Sequence, residues 1–363
     1  MSSQTKSNKH ISIIVLDITL KGGIERFAVN LANSYIAVGY TVTIISIHNT
    51  NNAPIYSLNK LVNLKYSTNL PFYEKTYKLT TLIACALLRL KSNIYSSRTT
   101  IITHPITSIY LKILGYDMSN IIASEHSAYG AHSKFVQALR IWAYKKVKGV
   151  VCQTQNGLEN FKRFDISAKL IPNAITEFND QNQWSFSRRR NFQVLTIARL
   201  EPVKQLQTFV DIASEVKQRG FDLNFKIIGD GSQSKAIQKH ILEKSLQDLV
   251  EIIPATPNVG QFYGCASVYL ITSKTESFSM TLTEALSYGI PAISNKSLVG
   301  PREIITHGYD GYLCRDGDVK EFANRIIELF EDEKWAIFSK RAIQKSLLYK
   351  SDIIIRKWVE IHE

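Results

Sequence analysis

Two cations in the second half of the chain are spaced in a way that suits a bound diphosphate. Arg199 ends a strand-like run, and Lys204 follows it five residues later, at the predicted start of a helix. An arginine can hold phosphate oxygens through two parallel hydrogen bonds and a lysine acts as a point charge, so the pair suits a pyrophosphate. A pair of solvated surface cations explains the same spacing equally well.

Two carboxylates follow the next suitable strand-like run. Glu276 comes shortly after it, and Glu284 comes eight residues after Glu276. If a helix begins near Phe278, its free first-turn amides can bind diphosphate oxygens. The residues expected to supply these amides are Ser277, Phe278, Ser279 and Met280. Glu284 then lies in the second turn, where it can accept hydrogen bonds from a ribose, and Glu276 is left beside the sugar. Coulomb repulsion from a diphosphate disfavours two such carboxylates, so an exposed structural role for one of them remains open.

The first half of the chain offers a glycine pair and a histidine. Gly22 and Gly23 stand between the first strand-like run and the first helical segment, where an open α/β sheet places its ligand crevice. Glycines allow the backbone to approach a phosphate closely, although an ordinary turn explains the pair equally well. His126 follows a later strand-like run. Without further context, a lone histidine beside a strand is more often a hydrogen-bonded structural residue than a catalytic one.

These residues lie on a repeating pattern of short β-branched runs and longer helical segments, which is typical of doubly wound parallel sheets. Strands are predicted at residues 11–16, 41–47, 100–103, 121–124 and 149–152, and again at 193–198, 224–229, 250–253, 268–272 and 291–294. Residues 176–191 lack periodicity and predict a linker. We therefore predict a first Rossmann-like domain over residues 1–175 and a second over 192–350. A terminal helix over 351–363 follows, which has the option of packing back on the first domain.

The ordered set of motifs resembles the retaining glycosyltransferases of the GT-B fold, specifically glycosyltransferase family four. The motifs are Gly22-Gly23-Ile24-Glu25-Arg26, Ser124-Glu125-His126, Ile171-Pro172-Asn173-Ala174, Arg199-x4-Lys204, Gly229-Asp230-Gly231, Glu276-x7-Glu284 and Gly300-Pro301-Arg302-Glu303. They occur in the family's order over nearly the whole chain. The resemblance implies an α/β protein in which two Rossmann-like domains face each other across a cleft.

The resemblance also implies roles for single residues. Arg199 and Lys204 are implied to neutralise the donor diphosphate and its departing charge. Glu284 is implied to bind the ribose, and Glu276 to hold hydroxyls of the transferred sugar. His126 is implied to contact the donor sugar near the reacting carbon.

Several glycines complete this implied binding site, and two others are missing. Gly22, Gly23 and Gly229 are implied to bring the backbone close to the donor. Gln205 and Ala174 stand where the family usually has glycine, which puts the local loop geometry in question.

The resemblance implies transfer of a hexose or N-acetylhexosamine from a nucleotide-diphosphate sugar, by family habit a UDP-sugar, with retention of configuration. It implies no cofactor, no metal ion and no general base, because the leaving phosphate oxygen assists removal of the acceptor proton. Two alternatives stay open: a sugar-nucleotide epimerase of the same fold and a non-catalytic homologue that binds nucleotide-sugar.

The charge distribution predicts the acceptor side. Residues 1–175 hold 20 lysines and arginines against 7 aspartates and glutamates, whereas residues 176–363 hold 24 of each kind. Such asymmetry indicates an anionic partner of the first domain. The chain lacks zinc or helix-turn-helix signatures and clustered aromatics on a basic sheet face, so we expect no nucleic acid partner.

Two basic segments with apolar positions fit an anionic membrane surface. Residues 77–98 and 134–148 combine leucines or aromatics with lysines and arginines, a pattern of helices that lie on membranes. Burial of both apolar faces within the domain is the alternative for each helix. The polar N-terminus lacks the apolar region of a signal peptide, so we expect a cytoplasmic enzyme, peripheral on the inner face of the cell membrane. Its acceptor is then a membrane-associated saccharide or lipid-linked acceptor in surface polysaccharide or lipopolysaccharide biosynthesis. The four cysteines lack a CxxC pair and are expected to be buried.

Overall fold

The chain folds into two units that are described separately. The computed structural model describes residues 9–90, 99–175, 192–256, 258–330 and 332–362. The first unit comprises the described parts of Met1–Ala174 and Ser351–Glu363, and the second those of Ile175–Lys350. The predicted linker over residues 176–191 lies outside the described residues, as does the 91–98 part of the first basic segment.

The first unit is built on a parallel sheet, and helical crossovers join all of its consecutive strands except β2 and β3. Its strands are β1 (His10–Val15), β2 (Thr41–Ser46), β3 (Asn63–Tyr66), β4 (Thr99–Ile102), β5 (Ile121–Glu125), β6 (Gly149–Cys152) and β7 (Ala168–Leu170). Their order in the sheet is β3-β2-β1-β4-β5-β6-β7, so the direction of winding reverses between β1 and β4. β3 and β7 were not predicted from the sequence, because they are short, half-exposed edge strands without a β-branched run.

Helices cover both faces of this sheet. They are α1 (Gly23–Ala37), α2 (Tyr77–Leu90), α3 (Pro105–Ile113), α4 (Lys134–Tyr144) and α5 (Gln155–Lys162). Ile13 packs in the core under α1, whereas its neighbour Ile14 packs in the core under α2 and α3. Because successive side chains of a strand point to opposite faces, α1 and the α2–α3 pair lie on opposite sides of the sheet. α3 packs between α2 and α4.

The second unit repeats this plan on a parallel sheet. Its strands are β8 (Gln193–Ile197), β9 (Asn224–Ile228), β10 (Val250–Ile253), β11 (Val268–Ile271), β12 (Ala292–Asn295) and β13 (Gly311–Cys314), in the order β10-β9-β8-β11-β12-β13. β8 to β12 match the predicted strands within two residues. β13 was not predicted, since its four residues contain no β-branched side chain.

The helices of the second unit pack on both faces of its sheet. They are α6 (Leu206–Gln218), α7 (Ser234–Glu243), α8 (Gly260–Tyr263), α9 (Met280–Ser287), α10 (Val299–Ile304), α11 (Val319–Phe330) and α12 (Asp332–Ser346). One core joins α6, α7 and α11 to the sheet, and another joins α8, α9 and α10 to it. Within the described ranges, no helix of either unit combines the length and apolarity needed to cross a bilayer.

The last helix, α13 (Ser351–Val359), belongs to the first unit. Trp358 is 1% exposed, and its ring centroid lies 6.0 Å from that of Phe27 on α1. The chain therefore returns to its first sheet after completing the second.

Three of the four cysteines are buried, as the sequence predicts. The prediction is wrong for Cys265, which is exposed because it lies in the turn between α8 and β11.

Candidate functional site

The two loops beside the reversal point of the second sheet carry the predicted diphosphate ligands. β8 leads into Arg199 and Lys204, and the neighbouring strand β11 leads into Glu276. The direction of winding reverses between these two strands, and ligand crevices of open α/β sheets form outside the carboxyl ends at such a point. Residues far apart in the sequence are therefore gathered at one edge of one sheet.

The loop after β8 presents its two cations through an unusual backbone conformation. Arg199 is exposed, and its guanidinium makes no hydrogen bond or ion pair with any residue that the structure describes. Lys204 ends a 3-10 turn over Pro202–Lys204, which corrects the prediction that it starts a helix. α6 begins only at Leu206, because Gln205 adopts the left-handed conformation with φ 48° and ψ 45°. Glycine adopts this conformation without strain, which explains why the family motif has glycine here.

Lys204 and Glu276 form an ion pair, although the sequence assigned them to different parts of the donor. Lys204 Nζ donates to Glu276 Oε1 at 2.5 Å, and the two side chains are 17% and 15% exposed. Ser273 Oγ donates to the same carboxylate oxygen at 2.9 Å, and Thr272 Oγ1 donates to the Lys204 carbonyl at 3.0 Å. A diphosphate that reaches Lys204 therefore meets a cation that Glu276 already neutralises.

Asn295 holds the loop that carries Glu276. It is the last residue of β12, and its Nδ2 donates to the carbonyls of Thr272 at 3.0 Å and Ser273 at 2.9 Å. Sequence reasoning missed both Asn295 and Ser273. Their position at the carboxyl ends of neighbouring strands was the signal that could have found them.

Gly229 and Gly231 allow the loop after β9 to lie against the Arg199 loop. Their φ angles are 156° and 157°. A Cβ on Gly229 would lie 1.9 Å from the Ala198 carbonyl oxygen, and one on Gly231 would lie 2.5 Å from that of Leu200. The structure thus gives Gly229 a packing role that shapes the Arg199 loop, and its contact with the donor stays a prediction.

The helix that follows Glu276 begins later than the sequence predicts. α9 starts at Met280 after Ser279, which has φ 72° and ψ 81°. Phe278 is 3% exposed and packs against Tyr349 with ring centroids 5.8 Å apart. Because the Phe278 side chain is anchored in the core, Ser277 and Phe278 lie in the loop before the helix. The first-turn amides therefore start at Met280.

Glu284 is buried on α9, with 3% of its surface exposed. Its Oε2 accepts a hydrogen bond from the Tyr263 hydroxyl at 3.1 Å. Tyr263 ends the short helix α8 and was missed by sequence reasoning, because α8 has too few residues to show a period. Tyr263 fixes one carboxylate oxygen of the predicted ribose ligand.

The glycine pair of the first unit lies at the start of α1. Gly22 is the extended N-cap residue, and Gly23 is the first helical residue. A Cβ on Gly22 would lie 2.3 Å from Glu25 Oε2, whereas one on Gly23 would meet no described atom within 4 Å. The Glu25 carboxylate is thus folded back over the helix start, as in a capping box. Close approach of a phosphate is therefore sterically open at Gly23 and opposed by a carboxylate at Gly22.

His126 follows β5 and is hydrogen-bonded at both ring nitrogens. Gln153 Nε2 donates to Nδ1 at 2.5 Å, so Nε2 carries the proton and lies 3.0 Å from Ser124 Oγ. The Phe27 ring centroid lies 4.2 Å away. Burial, with a further contribution from His104, lowers the pKa of His126 to about 3. His126 is therefore a neutral imidazole at neutral pH.

The hydrogen bonds of His126 extend to the predicted Pro-Asn motif. Gln153, which follows β6, also donates to Asn173 Oδ1 at 2.7 Å. His104 follows β4, and its Nδ1 accepts from the Ile106 amide at 3.2 Å. Burial lowers the pKa of His104 to about 4. Sequence reasoning found His126 but missed Gln153 and His104, although all three lie within two residues of the ends of neighbouring strands.

Arg140 and Glu125 form a buried ion pair beside this network. Arg140 Nη1 donates to Glu125 Oε2 at 2.9 Å, and the side chains are 0% and 5% exposed. Tyr144 donates its hydroxyl to the other carboxylate oxygen. Burial raises the pKa of Glu125, and the Arg140 charge opposes this change. The predicted basic face over residues 134–148 is thereby corrected: Arg140 serves a buried carboxylate and is not available to an anionic surface.

The part of the chain that the structure describes contains no group of three His, Cys, Asp or Glu side chains arranged to hold a metal ion. The Asp316-Gly317-Asp318 sequence uses its carboxylates within the loop before α11. Asp316 Oδ1 accepts from the Ser297 amide at 3.1 Å, and Asp318 Oδ1 accepts from the Glu321 amide at 3.0 Å.

Two family models match consecutive parts of the chain. The model described as Glycosyltransferase Family 4 matches residues 21–177, and the model described as Glycosyl transferases group 1 matches residues 178–346. Between them the two models span β2 to β13.

The chain is similar over its length to two curated proteins. An uncharacterized glycosyltransferase of Haemophilus influenzae is 24% identical, with 96% of this chain and 99% of that protein covered. The amylovoran biosynthesis glycosyltransferase AmsD of Erwinia amylovora is 26% identical, with 96% and 98% covered.

A solved structure shares the fold. S. aureus TarM, crystallised with fondaparinux, alpha-GlcNAc-glycerol and UDP, superposes with a TM-score of 0.78 at 14% identity. The superposition covers 98% of this chain and all of that one.

Proposed function

Because the chain belongs to the glycosyltransferases, with a family 4 domain followed by a group 1 domain, we propose that it transfers a hexose or N-acetylhexosamine from a UDP-sugar. The acceptor in this proposal is a membrane-associated saccharide or lipid-linked acceptor, and the anomeric configuration is retained. The family and the GT-B fold are established by the two family models and the structural likeness. The donor, acceptor and stereochemistry are the proposal.

The observation that carries the proposal is the cluster of Arg199, Lys204 and Glu276 at the reversal point of the second sheet. A donor site needs cations that bind the diphosphate. A few ångströms away it needs a group that accepts hydrogen bonds from the sugar hydroxyls. Lys204 and Glu276 are already in contact at 2.5 Å, and the exposed Arg199 lies on the same loop as Lys204. Arg199 would hold the diphosphate by paired hydrogen bonds, while Lys204 neutralises the charge that develops as it leaves.

The carboxylates bind the uncharged parts of the donor in this proposal. Glu276 would leave Lys204 and accept hydrogen bonds from hydroxyls of the sugar. Glu284, whose Oε2 accepts from the Tyr263 hydroxyl, would also accept hydrogen bonds from the ribose hydroxyls. Gly23 and Gly229 would border the donor with backbone, together with the amides at the start of α9.

The transfer step balances without a general base on the protein. The bond between the anomeric carbon and the diphosphate oxygen breaks, and the acceptor oxygen bonds to the same carbon on the same face. The acceptor proton passes to the leaving phosphate oxygen. His126 would turn its Nε2–H from Ser124 Oγ to the sugar. Its low pKa keeps it neutral, so we assign it no proton transfer. Neutralisation by Arg199 and Lys204 is the basis for proposing that no metal ion or cofactor is needed.

The pathway proposal rests on a relative and on charge. AmsD, similar over nearly the whole chain, is named for amylovoran biosynthesis. The excess of cations over acids in the first half suits an anionic membrane surface on the cytoplasmic side, where a lipid-linked saccharide would be presented. We therefore propose that the enzyme acts in surface polysaccharide or lipopolysaccharide biosynthesis, peripheral on the inner face of the membrane.

A donor panel tests the proposal. Nucleotide release is measured from UDP-, GDP-, ADP- and dTDP-sugars, with and without a total bacterial lipid extract as the acceptor source. We expect release from a UDP-sugar that the extract stimulates. Glu284→Ala should lower UDP affinity about 10- to 100-fold, because a charged hydrogen-bond acceptor is lost. Glu243→Ala, an exposed carboxylate on α7, is the matched control and should change nothing.

Other outcomes would replace the proposal. Release that is independent of the extract and yields an epimerised sugar would establish the epimerase. UDP binding without turnover of any donor would establish the non-catalytic homologue.

A further inference from the structure

Two helices of the first unit expose an apolar stripe in addition to the side that they bury. On α2, Leu79, Ile83 and Leu87 are spaced by four residues and remain 38–62% exposed. On α4, Phe135 and Trp142 are spaced by seven residues and are 72% and 45% exposed. Spacings of four and seven residues place side chains on one side of a helix.

The two stripes belong to one layer, because α3 packs between α2 and α4. Ile113 at the end of α3 is also exposed, and Lys112 Nζ lies 5.4 Å from the ring centroid of Trp142 on α4. We call this set of apolar side chains the docking face. Its members are Leu79, Ile83, Leu87, Ile113, Phe135 and Trp142.

Positive charge predominates around the docking face. None of α2, α3 and α4 contains an aspartate or glutamate. The exposed lysines at the ends of α2 and α4 are Lys75, Lys78, Lys134, Lys145 and Lys146. In the described part of residues 74–148, the exposed acids are Glu74 and Asp117, since Glu125 is buried with Arg140. An anionic partner is thus favoured over the whole face.

We propose that the docking face binds an anionic phospholipid bilayer, with Phe135 and Trp142 in the headgroup region and the lysines at lipid phosphates. A protein partner is less well matched, because protein interfaces are depleted in lysine and enriched in arginine. Among the side chains that the structure describes at the face, the exposed cations are lysines, and Arg140 is buried in the core.

The inference deepens the proposed function, on which it rests for the lipid-linked nature of the acceptor. In a βαβ unit the crossover helix runs back along the sheet, so α2 and α4 begin at the carboxyl edge of the strands. His126 and Gly23 lie at this same edge. Lys78 and Phe135, near the starts of α2 and α4, would bring the membrane surface to the edge where the first unit is predicted to meet its substrates.

Vesicle flotation of the full chain tests the docking face. We expect binding to vesicles of phosphatidylglycerol and phosphatidylcholine in equal parts, little binding to phosphatidylcholine alone, and weaker binding as salt is raised. Phe135→Ser/Trp142→Ser should lower the partition coefficient about tenfold or more, because two aromatic anchors are lost. Lys145→Gln/Lys146→Gln should lower it by roughly fivefold per lysine. Leu242→Ser/Ile337→Ser, two comparably exposed apolar residues of the second unit, is the control and should bind as wild type.

A conservative variant guards against misfolding. Trp142 fluorescence should shift to the blue when anionic vesicles are added, and Trp142→Phe should remove that shift without disturbing the fold. Equal binding to neutral vesicles, an equal loss in the control pair, or no blue shift would overturn the inference. So would docking-face variants that alter the sedimentation of the protein alone while vesicle binding persists, since a second copy or a protein partner would then cover the face.

UDP titration of the same variants separates this inference from the donor assignment. Vesicle binding without UDP binding or donor turnover would leave the docking face intact and refute the proposed function. UDP binding and donor turnover without vesicle binding would leave the proposed function intact and refute the docking face.

Discussion

Replacement of Glu276 by glutamine should tighten UDP binding while slowing sugar transfer. Glu276 neutralises Lys204 through a 2.5 Å contact, and both side chains are mostly buried. If the donor diphosphate competes with Glu276 for Lys204, the variant exposes an unneutralised cation to UDP. Transfer should slow because glutamine is a poorer acceptor for sugar hydroxyls than a carboxylate.

The size of the effect follows from the geometry of the pair. Two unit charges about 4 Å apart interact by about 4 kcal/mol at an effective dielectric constant of 20. Desolvation of both groups and ordering of the lysine side chain offset most of this, which leaves about 1–2 kcal/mol for a partly buried pair. Since a factor of ten corresponds to about 1.4 kcal/mol, UDP should bind about 5- to 30-fold more tightly.

Calorimetric titration with UDP measures this change directly. Ser273→Ala is the matched control, because it removes the other side-chain hydrogen bond to Glu276 and leaves the ion pair; we expect less than threefold change. In a Lys204→Met background, Glu276→Gln should no longer tighten UDP binding. Unchanged or weaker UDP binding by Glu276→Gln alone would refute competition between Glu276 and the diphosphate for Lys204. An equal gain in UDP affinity in the Lys204→Met background would show that Glu276 merely repels the diphosphate.

Three further predictions concern stability and loop geometry. Lowering the pH from 7 to 4 should lower the free energy of unfolding, because His126, with a folded-state pKa of about 3, stays neutral while the unfolded chain takes up a proton near pH 6.5. Urea unfolding at several pH values should show a smaller loss of stability for His126→Gln than for the wild type, and equal losses would contradict the reasoning. Arg140→Met should cost about 3–5 kcal/mol, since Glu125 loses its buried cation; added Glu125→Gln should recover part of that loss in urea unfolding, and a cost below about 1 kcal/mol would oppose the assignment. Gly229→Ala should weaken UDP binding, because its Cβ would lie 1.9 Å from the Ala198 carbonyl oxygen and displace the Arg199 loop; unchanged affinity in titration would show that this loop does not bind the donor.

The first unit buries ionisable side chains in two different ways, as an ion pair and as a neutral histidine. Arg140 and Glu125 neutralise each other in the core, so they add no net charge to the surface. His126 is instead held neutral by burial and by the neighbouring His104, which lower its pKa to about 3. Arg140 therefore adds no charge to the docking face, whose described exposed cations are lysines.

Local patterns in the sequence were sufficient to predict the order of elements and the two parallel sheets. Apolar residues recur with a period of two in strands and of 3.6 in helices. These periods can be recognised from neighbouring residues alone. Because parallel strands all end at the same edge, the motifs after β8 and β11 could also be assigned to one edge in advance. The edge strands β3 and β7 escaped prediction, since short half-exposed strands carry little periodic signal.

Only the tertiary structure decided which side chains meet. Lys204 and Glu276 are 72 residues apart, so their ion pair has no local sequence signal. The same holds for the Gln153 hydrogen bond to His126, 27 residues away. α9 starts at Met280 and not near Phe278 as predicted, because Phe278 packs in the core. Arg140 does not lie on the predicted basic surface, because the buried carboxylate of Glu125 requires a cation. Sequence periodicity determined at which edge of the sheet the loops lie. Packing and charge compensation between distant residues determined which side chains of those loops are exposed and which are paired.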